Sequence, residues 1–213
     1  LSAGGYTCKE LRDGGFSATD LRDLDFSASD LRTAGFVMRQ LKAAGFGCGD
    51  LAAAGFTPKE LTVKQHGFSA FEMKSVGFSA KQLRSAGLTI EDLKSADFTL
   101  EQLRAAKFSI KELKSVGYTA VQLESLGATA PELRQGGFTA VEMKEADFPL
   151  HELRHCGYGD KELRAAGYTA EELKTAGATA KDLATAGFGA DELRPAGFAA
   201  AQLKVAGFNC EKL

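Results

Sequence analysis

Residues Gly167-Tyr168-Thr169-Ala170-Glu171-Glu172-Leu173-Lys174-Thr175-Ala176 decide the fold. Thr169 is a good helix N-cap. Glu172, three residues on, completes an S/T-x-x-E capping box, in which each side chain accepts from the other residue's free backbone N–H. Tyr168 before the cap and Leu173 at the fourth helical position form the pair of a hydrophobic staple. Gly177 then falls one residue past the last helical position, where a left-handed C′ residue ends a helix. In a Schellman motif the next residue, C″, meets C3, which makes Leu173 the C3 residue and Ala178 the C″ residue. The residue after each glycine is therefore both C″ of one helix and N′ of the next, and no room remains for a loop.

The same pattern, G-F/Y-S/T-A-x-E-L-K/R-x-A, recurs 21 times along the 213 residues, broken only by a two-residue insertion in Leu61-Thr62-Val63-Lys64-Gln65-His66-Gly67. Glycine holds 17 of the 21 C′ positions, and the exceptions are Asp25, Asp97, Lys107 and Asp147. Asp tolerates the left-handed region better than most residues, so Lys107 is the misfit. The N′ column holds 14 Phe and 4 Tyr, with Leu88, Ala128 and Ala178 as exceptions, and of the 19 aromatics only Phe71 lies outside it. That column reads as a core rather than a cofactor site.

A helix of about seven residues is roughly 10 Å long, well short of the 12–15 residues at which isolated helices become marginal in water. The Ala at N1, the Leu at N4 and the final Ala form one apolar stripe that neighbouring helices have to cover. Tandem stacking supplies that cover. The expected fold is an all-α solenoid, a superhelix of about 21 short two-turn helices joined by steep corners, without a β-sheet and continuous over residues 1–213. The connections are all alike, so the number of helices per turn stays open. Weaker rungs are expected where Val37, Gly47, Pro149, Gly159, Gly189 and Ala199 stand at the cap, and at Pro195 near a helix end; Pro58 at N1 is favourable. The insertion predicts either one longer helix or a bulged corner. Leu1 and Leu213 both fall in the N4 column, so the chain is expected to be an excerpt of a longer array, or an array whose ends partners cover.

Blocks such as Gly117-Tyr118-Thr119-Ala120 with Leu123 following resemble the decapeptide AGF(S/T)A-x-x-L-(K/R) family of helical repeats over essentially the whole chain. The resemblance implies no catalytic activity and no cofactor. The pattern is also similar to the wider group of α-solenoids, which serve as scaffolds and binding surfaces, although their repeats of about 34 to 47 residues are far longer.

Composition narrows the function further. With 26 Lys plus Arg against 28 Asp plus Glu the net charge is −2, so the chain is no polycation for nucleic acid. No apolar run approaches the roughly 18 residues of a membrane helix, and no signal peptide pattern marks the start. The acidic N3 column (Glu10, Asp20, Asp30, Glu60, Glu112, Glu152) and the basic N5 column (Arg12, Arg22, Arg32, Lys114, Arg154) read as capping boxes and a solvated basic stripe that suits the helix dipole. Such a stripe also tracks phosphates, which makes nucleic-acid binding an alternative reading; the slightly negative net charge and the lack of spare stacking aromatics weigh against it.

His151 and His155, spaced i, i+4 beside Cys156, are a candidate zinc site without the full H-E-x-x-H pattern, and both histidines fall in columns expected to face solvent. Cys8, Cys48, Cys156 and Cys210 replace small core residues, and their wide spacing suggests reduced thiols in an intracellular setting. No Ser/His/Asp or Cys/His constellation and no phosphate loop is present. Phe71, Val121 and Val141 put apolar side chains in the otherwise polar N2 column and are the candidate partner-binding residues. The sequence thus reads as a non-catalytic scaffold for other proteins, with a passive spacer as a second alternative.

Overall fold

The computed structural model describes residues 2–62 and 67–209. Insertion residues 63–66, together with Leu1, Cys210 and Leu213, lie outside them. The chain, continuous in its repeat pattern, divides into two compact units, Leu1–Phe108 and Ser109–Leu213. The first carries β1 (Ser2–Ala3), β2 (Tyr6–Thr7), α1 (Cys8–Asp13), α2 (Ala18–Asp23), α3 (Ala28–Thr33), α4 (Met38–Ala43), α5 (Cys48–Ala53), α6 (Pro58–Leu61), α7 (Ala70–Ser75), α8 (Ala80–Ser85), α9 (Ile90–Ser95) and α10 (Leu100–Ala105). The second carries α11 (Ile110–Ser115), α12 (Ala120–Glu124), α13 (Ala130–Gln135), α14 (Ala140–Glu145), α15 (Leu150–His155), α16 (Asp160–Ala165), α17 (Ala170–Thr175), α18 (Ala180–Thr185), α19 (Ala190–Leu193) and α20 (Ala200–Val205).

Most helices have six residues, because the final Ala of each repeat serves as the C-cap. The capping box forms as the sequence dictates. In α2 the Ser17 N–H donates to Asp20 Oδ2 at 2.8 Å and the Asp20 N–H donates to Ser17 Oγ at 3.2 Å. Where the cap lacks a hydroxyl, half the box survives, since Val37, Gly47, Gly159, Gly189 and Ala199 still donate their backbone N–H to the N3 side chain. Pro149 has no N–H to give. At the other end the Schellman pair closes as counted: the Gly177 N–H donates to Lys174 O and the Ala178 N–H to Leu173 O, both at 2.9 Å. Asp25, Asp97, Lys107 and Asp147 all take the left-handed conformation that glycine fills elsewhere, with φ of 60°, 59°, 68° and 55°.

Three local findings refine the sequence expectations. Ser2–Ala3 pairs antiparallel with Tyr6–Thr7, a two-residue ladder where no strand was expected. Gly4 and Gly5, with φ of 58° and 89°, supply the two positive-φ residues that a tight hairpin turn needs. The insertion does not lengthen its helix, for α6 ends at Leu61 while the Phe68 N–H still reaches Leu61 O at 2.8 Å. Pro195 truncates α19 to four residues.

Packing settles the question the sequence left open. In the first unit α1 packs on α3, α2 on α4, α3 on α5, α5 on α7, α6 on α8, α7 on α9 and α8 on α10. In the second, α11 packs on α13, α12 on α14, α14 on α16, α16 on α18, α17 on α19 and α18 on α20. Each turn of either unit is therefore two helices, and helices alternate between two stacks. The N4 side chains from Leu21 to Leu193 lie between them with no solvent exposure, and among the described residues no charged side chain is buried, the hydroxyls of Tyr158 and Tyr168 and the thiols of Cys8 and Cys48 being the polar groups carried inward.

Candidate functional site

The most regular chemistry of the array lies in the basic N5 column. The Arg22 guanidinium donates to Ala44 O at 2.7 Å and lies 5.7 Å from the centroid of the Phe46 ring. Arg32 does the same to Ala54 O and Phe56, at 2.6 and 4.3 Å. In the second unit Arg134 reaches Cys156 O at 3.0 Å and the Tyr158 ring at 4.6 Å, and Lys174 reaches Gly197 O at 2.6 Å and the Phe198 ring at 4.9 Å. Each cation thus travels one turn of the solenoid, caps the negative end of the helix two repeats on, and covers the aromatic that follows. Some also meet the next N3 carboxylate, as in Lys114–Glu142 at 2.7 Å and Arg164–Glu192 at 3.1 Å. Lys42 keeps this arrangement across the insertion, donating to Gly67 O at 2.6 Å with the Phe68 ring 4.2 Å away.

This ladder corrects the reading of the N5 column as a solvated stripe. Its cations are spent on rung-to-rung contacts because the carbonyls at a helix C-terminus and an aromatic face together make a better seat than bulk water. The signal missed in the sequence was the pairing of N5 with the aromatic 24 residues on.

The ladder, the paired boxes and the Schellman corners recur with a ten-residue period, and a match to the decapeptide repeat region extends over residues 1–65, 62–130, 127–200 and 157–213. The chain belongs to the decapeptide repeat family. No curated protein matches it, and no solved structure does. In this decapeptide array, function therefore has to be sought in departures from the repeat.

The N2 departures face outward. Phe71 is 61% exposed, Val121 49% and Val141 45%. Val121 on α12 and Val141 on α14 occupy equivalent positions on two helices that pack against each other, so both belong to one stack on consecutive turns of the second unit. Phe71, in the first unit, lines a groove of about 440 Å³ with Phe68, Ala70, Leu88, Glu91 and Asp92. Val37, which the sequence marks only as a weak cap, is a further exposed apolar side chain in a column made mostly of hydroxyls.

The histidine cluster does not assemble. His151 and His155 are exposed, the His155 Nδ1 lies 2.9 Å from the His151 carbonyl of its own helix, and the half-buried Cys156 thiol donates to Leu153 O at 3.4 Å. Among the described residues no three His, Cys, Asp or Glu side chains are placed to hold a metal ion. Cys8 and Cys48 are buried free thiols, and burial pushes both, and Cys156, above the ordinary thiol range. The capping carboxylates move the other way: the Ser17 hydroxyl and N–H hold Asp20 low, and the Thr169 N–H holds Glu172 low. Burial raises the Tyr158 phenol to about 12, and its hydroxyl donates to Phe138 O at 2.6 Å. No helix among the described residues is long and apolar enough to cross a membrane.

Proposed function

We propose that this decapeptide array is a non-catalytic scaffold that binds other proteins over an extended surface, without a cofactor and in an intracellular setting consistent with its free thiols. Phe71 carries the reading. It is the one aromatic side chain displayed at a position the repeat mostly keeps polar, beside a groove with further apolar lining. Exposed aromatics seated at a groove are the residues that dominate protein interfaces. Val121 and Val141 extend the same chemistry along one stack of the second unit.

The test is a cross-linked pull-down from the native source, with the array as bait and cross-linked positions mapped by mass spectrometry. A stoichiometric protein cross-linked beside Phe71 is expected, and Phe71→Asp should weaken its binding by roughly tenfold or more. Recovery of the array alone, or unchanged affinity in a natively folded Phe71→Asp protein, would overturn the reading in favour of a passive spacer. Nucleic-acid binding through the N5 column has less support, since those cations are already seated on carbonyls and rings. Binding that falls steeply with salt would revive it, whereas an apolar anchor is nearly indifferent to salt.

A further inference from the structure

Three devices hold the corners of this array: a left-handed glycine at C′, a hydroxyl or at least an N–H at the N-cap, and a cation from two repeats earlier. At the corner Ala146–Glu152 all three are replaced. The C′ residue is Asp147, with φ 55°, where a side chain is strained and glycine is not. The N-cap is Pro149, which offers neither a side-chain acceptor to the first turn of α15 nor an N–H to the Glu152 carboxylate. The ladder position is Glu124, which sets an acid rather than a cation in register with the carbonyl end of α14. Phe148 is half-buried, as are Phe78 and Tyr118 at corners that keep their glycine and capping box. Among the described residues no other corner loses all three: the corner at Asp25 keeps the Ser27 box, and that at Lys107 keeps the Ser109 box and the Arg84 cation over Phe108.

The elements on either side are fully tied. Arg134 donates to Cys156 O at the end of α15, Arg154 donates to Ala176 O, and Lys144 on α14 donates to Gly167 O at 2.8 Å. We propose that the corner Ala146–Glu152 is a built-in weak joint, at which the first turn of α15 comes away from α14 and uncovers Phe148 while the flanking helices stay packed. Opening there breaks the backbone bonds Phe148 N–H to Met143 O and Glu152 N–H to Pro149 O but none of the three devices, and partial openings of this kind follow the lines where local free energy is lowest.

Amide hydrogen exchange followed by NMR on the whole chain tests it. The Phe148 and Leu153 amides donate to Met143 O and Pro149 O, and their counterparts two repeats on, Tyr168 and Leu173, donate to Leu163 O and Thr169 O. Protection factors at Phe148 and Leu153 should be at least about tenfold below those at Tyr168 and Leu173, the combined effect of a missing cap and a strained C′. Pro149→Ser and Glu124→Arg restore a device each, and should raise protection at Phe148 and Leu153 by about fivefold for the N-cap and about two- to fivefold for the ladder cation. Equal protection at the two rungs would overturn the joint, as would lowered protection that neither variant restores.

Discussion

At the scale of single residues, the columns of the repeat are coupled by volume. Ile110 is larger than the alanine usual at N1, and Gly136 is smaller than the alanine usual at the C-cap; a Cβ built on Gly136 would collide with the Ile110 side chain. The two departures therefore compensate across one turn of the solenoid. Gly136→Ala is expected to destabilise the fold by about 1–3 kcal/mol through overpacking, and adding Ile110→Ala should recover part of that loss, although alanine favours the helical conformation of this site over glycine. Thermal melts of the two single variants and the double variant measure the coupling. The pair was present in the sequence, but each member looks like an isolated substitution until the helix-to-helix register is known.

At the scale of helices, what holds an element in place acts over two distances. Capping boxes and Schellman turns close within ten residues, so they were legible at once, down to the four non-glycine residues forced to positive φ. The cation ladder acts over 22 to 24 residues, or 25 to 26 across the insertion, and was not legible, because Arg22 has near-identical aromatic partners at several spacings and nothing local selects Phe46 among them. Two helices per turn was hidden for the same reason. Arg22→Met keeps much of the apolar stem, removes the donor to Ala44 O and the charge above Phe46, and should cost about 1–2 kcal/mol. Denaturant titration reads that loss directly, and an unchanged midpoint would show the ladder to be ornamental. Of the candidate sites, the exposure of Phe71, Val121 and Val141 followed from their column, whereas the turning of His155 and Cys156 onto backbone carbonyls of their own helix depended on rotamers that a helical spacing does not specify.

At the scale of the whole chain, stability is a sum of many similar small contributions, and acidity addresses many of them together. Asp20, Asp30, Glu60, Glu72, Glu172 and Asp182 all titrate below the ordinary carboxylate range, through the hydroxyl and N–H of their own caps. Their folded forms hold the charge more tightly than the unfolded chain does. The stability they provide is therefore complete above the usual carboxylate range and drains away as pH falls through that range and below it. Urea midpoints followed by circular dichroism should stay level from neutral pH down to the upper edge of the carboxylate range and then decline over a broad interval rather than a narrow step.

The alternation of helices between two stacks also gives the array a parity. Adding or deleting a single decapeptide leaves every capping box and Schellman turn intact, since these close within one repeat, and re-pairs only the contacts that span the change, such as Ile110 with Gly136. It nevertheless sends every residue downstream to the opposite side of its unit. Val121 and Val141 share a side because α12 and α14 differ by an even count. One decapeptide inserted between α13 and α14, where the Ile110–Gly136 pair is kept, would face them apart, and two would restore the side at a longer spacing. A change in repeat number thus redraws the surface as thoroughly as many point mutations, while the core scarcely registers it.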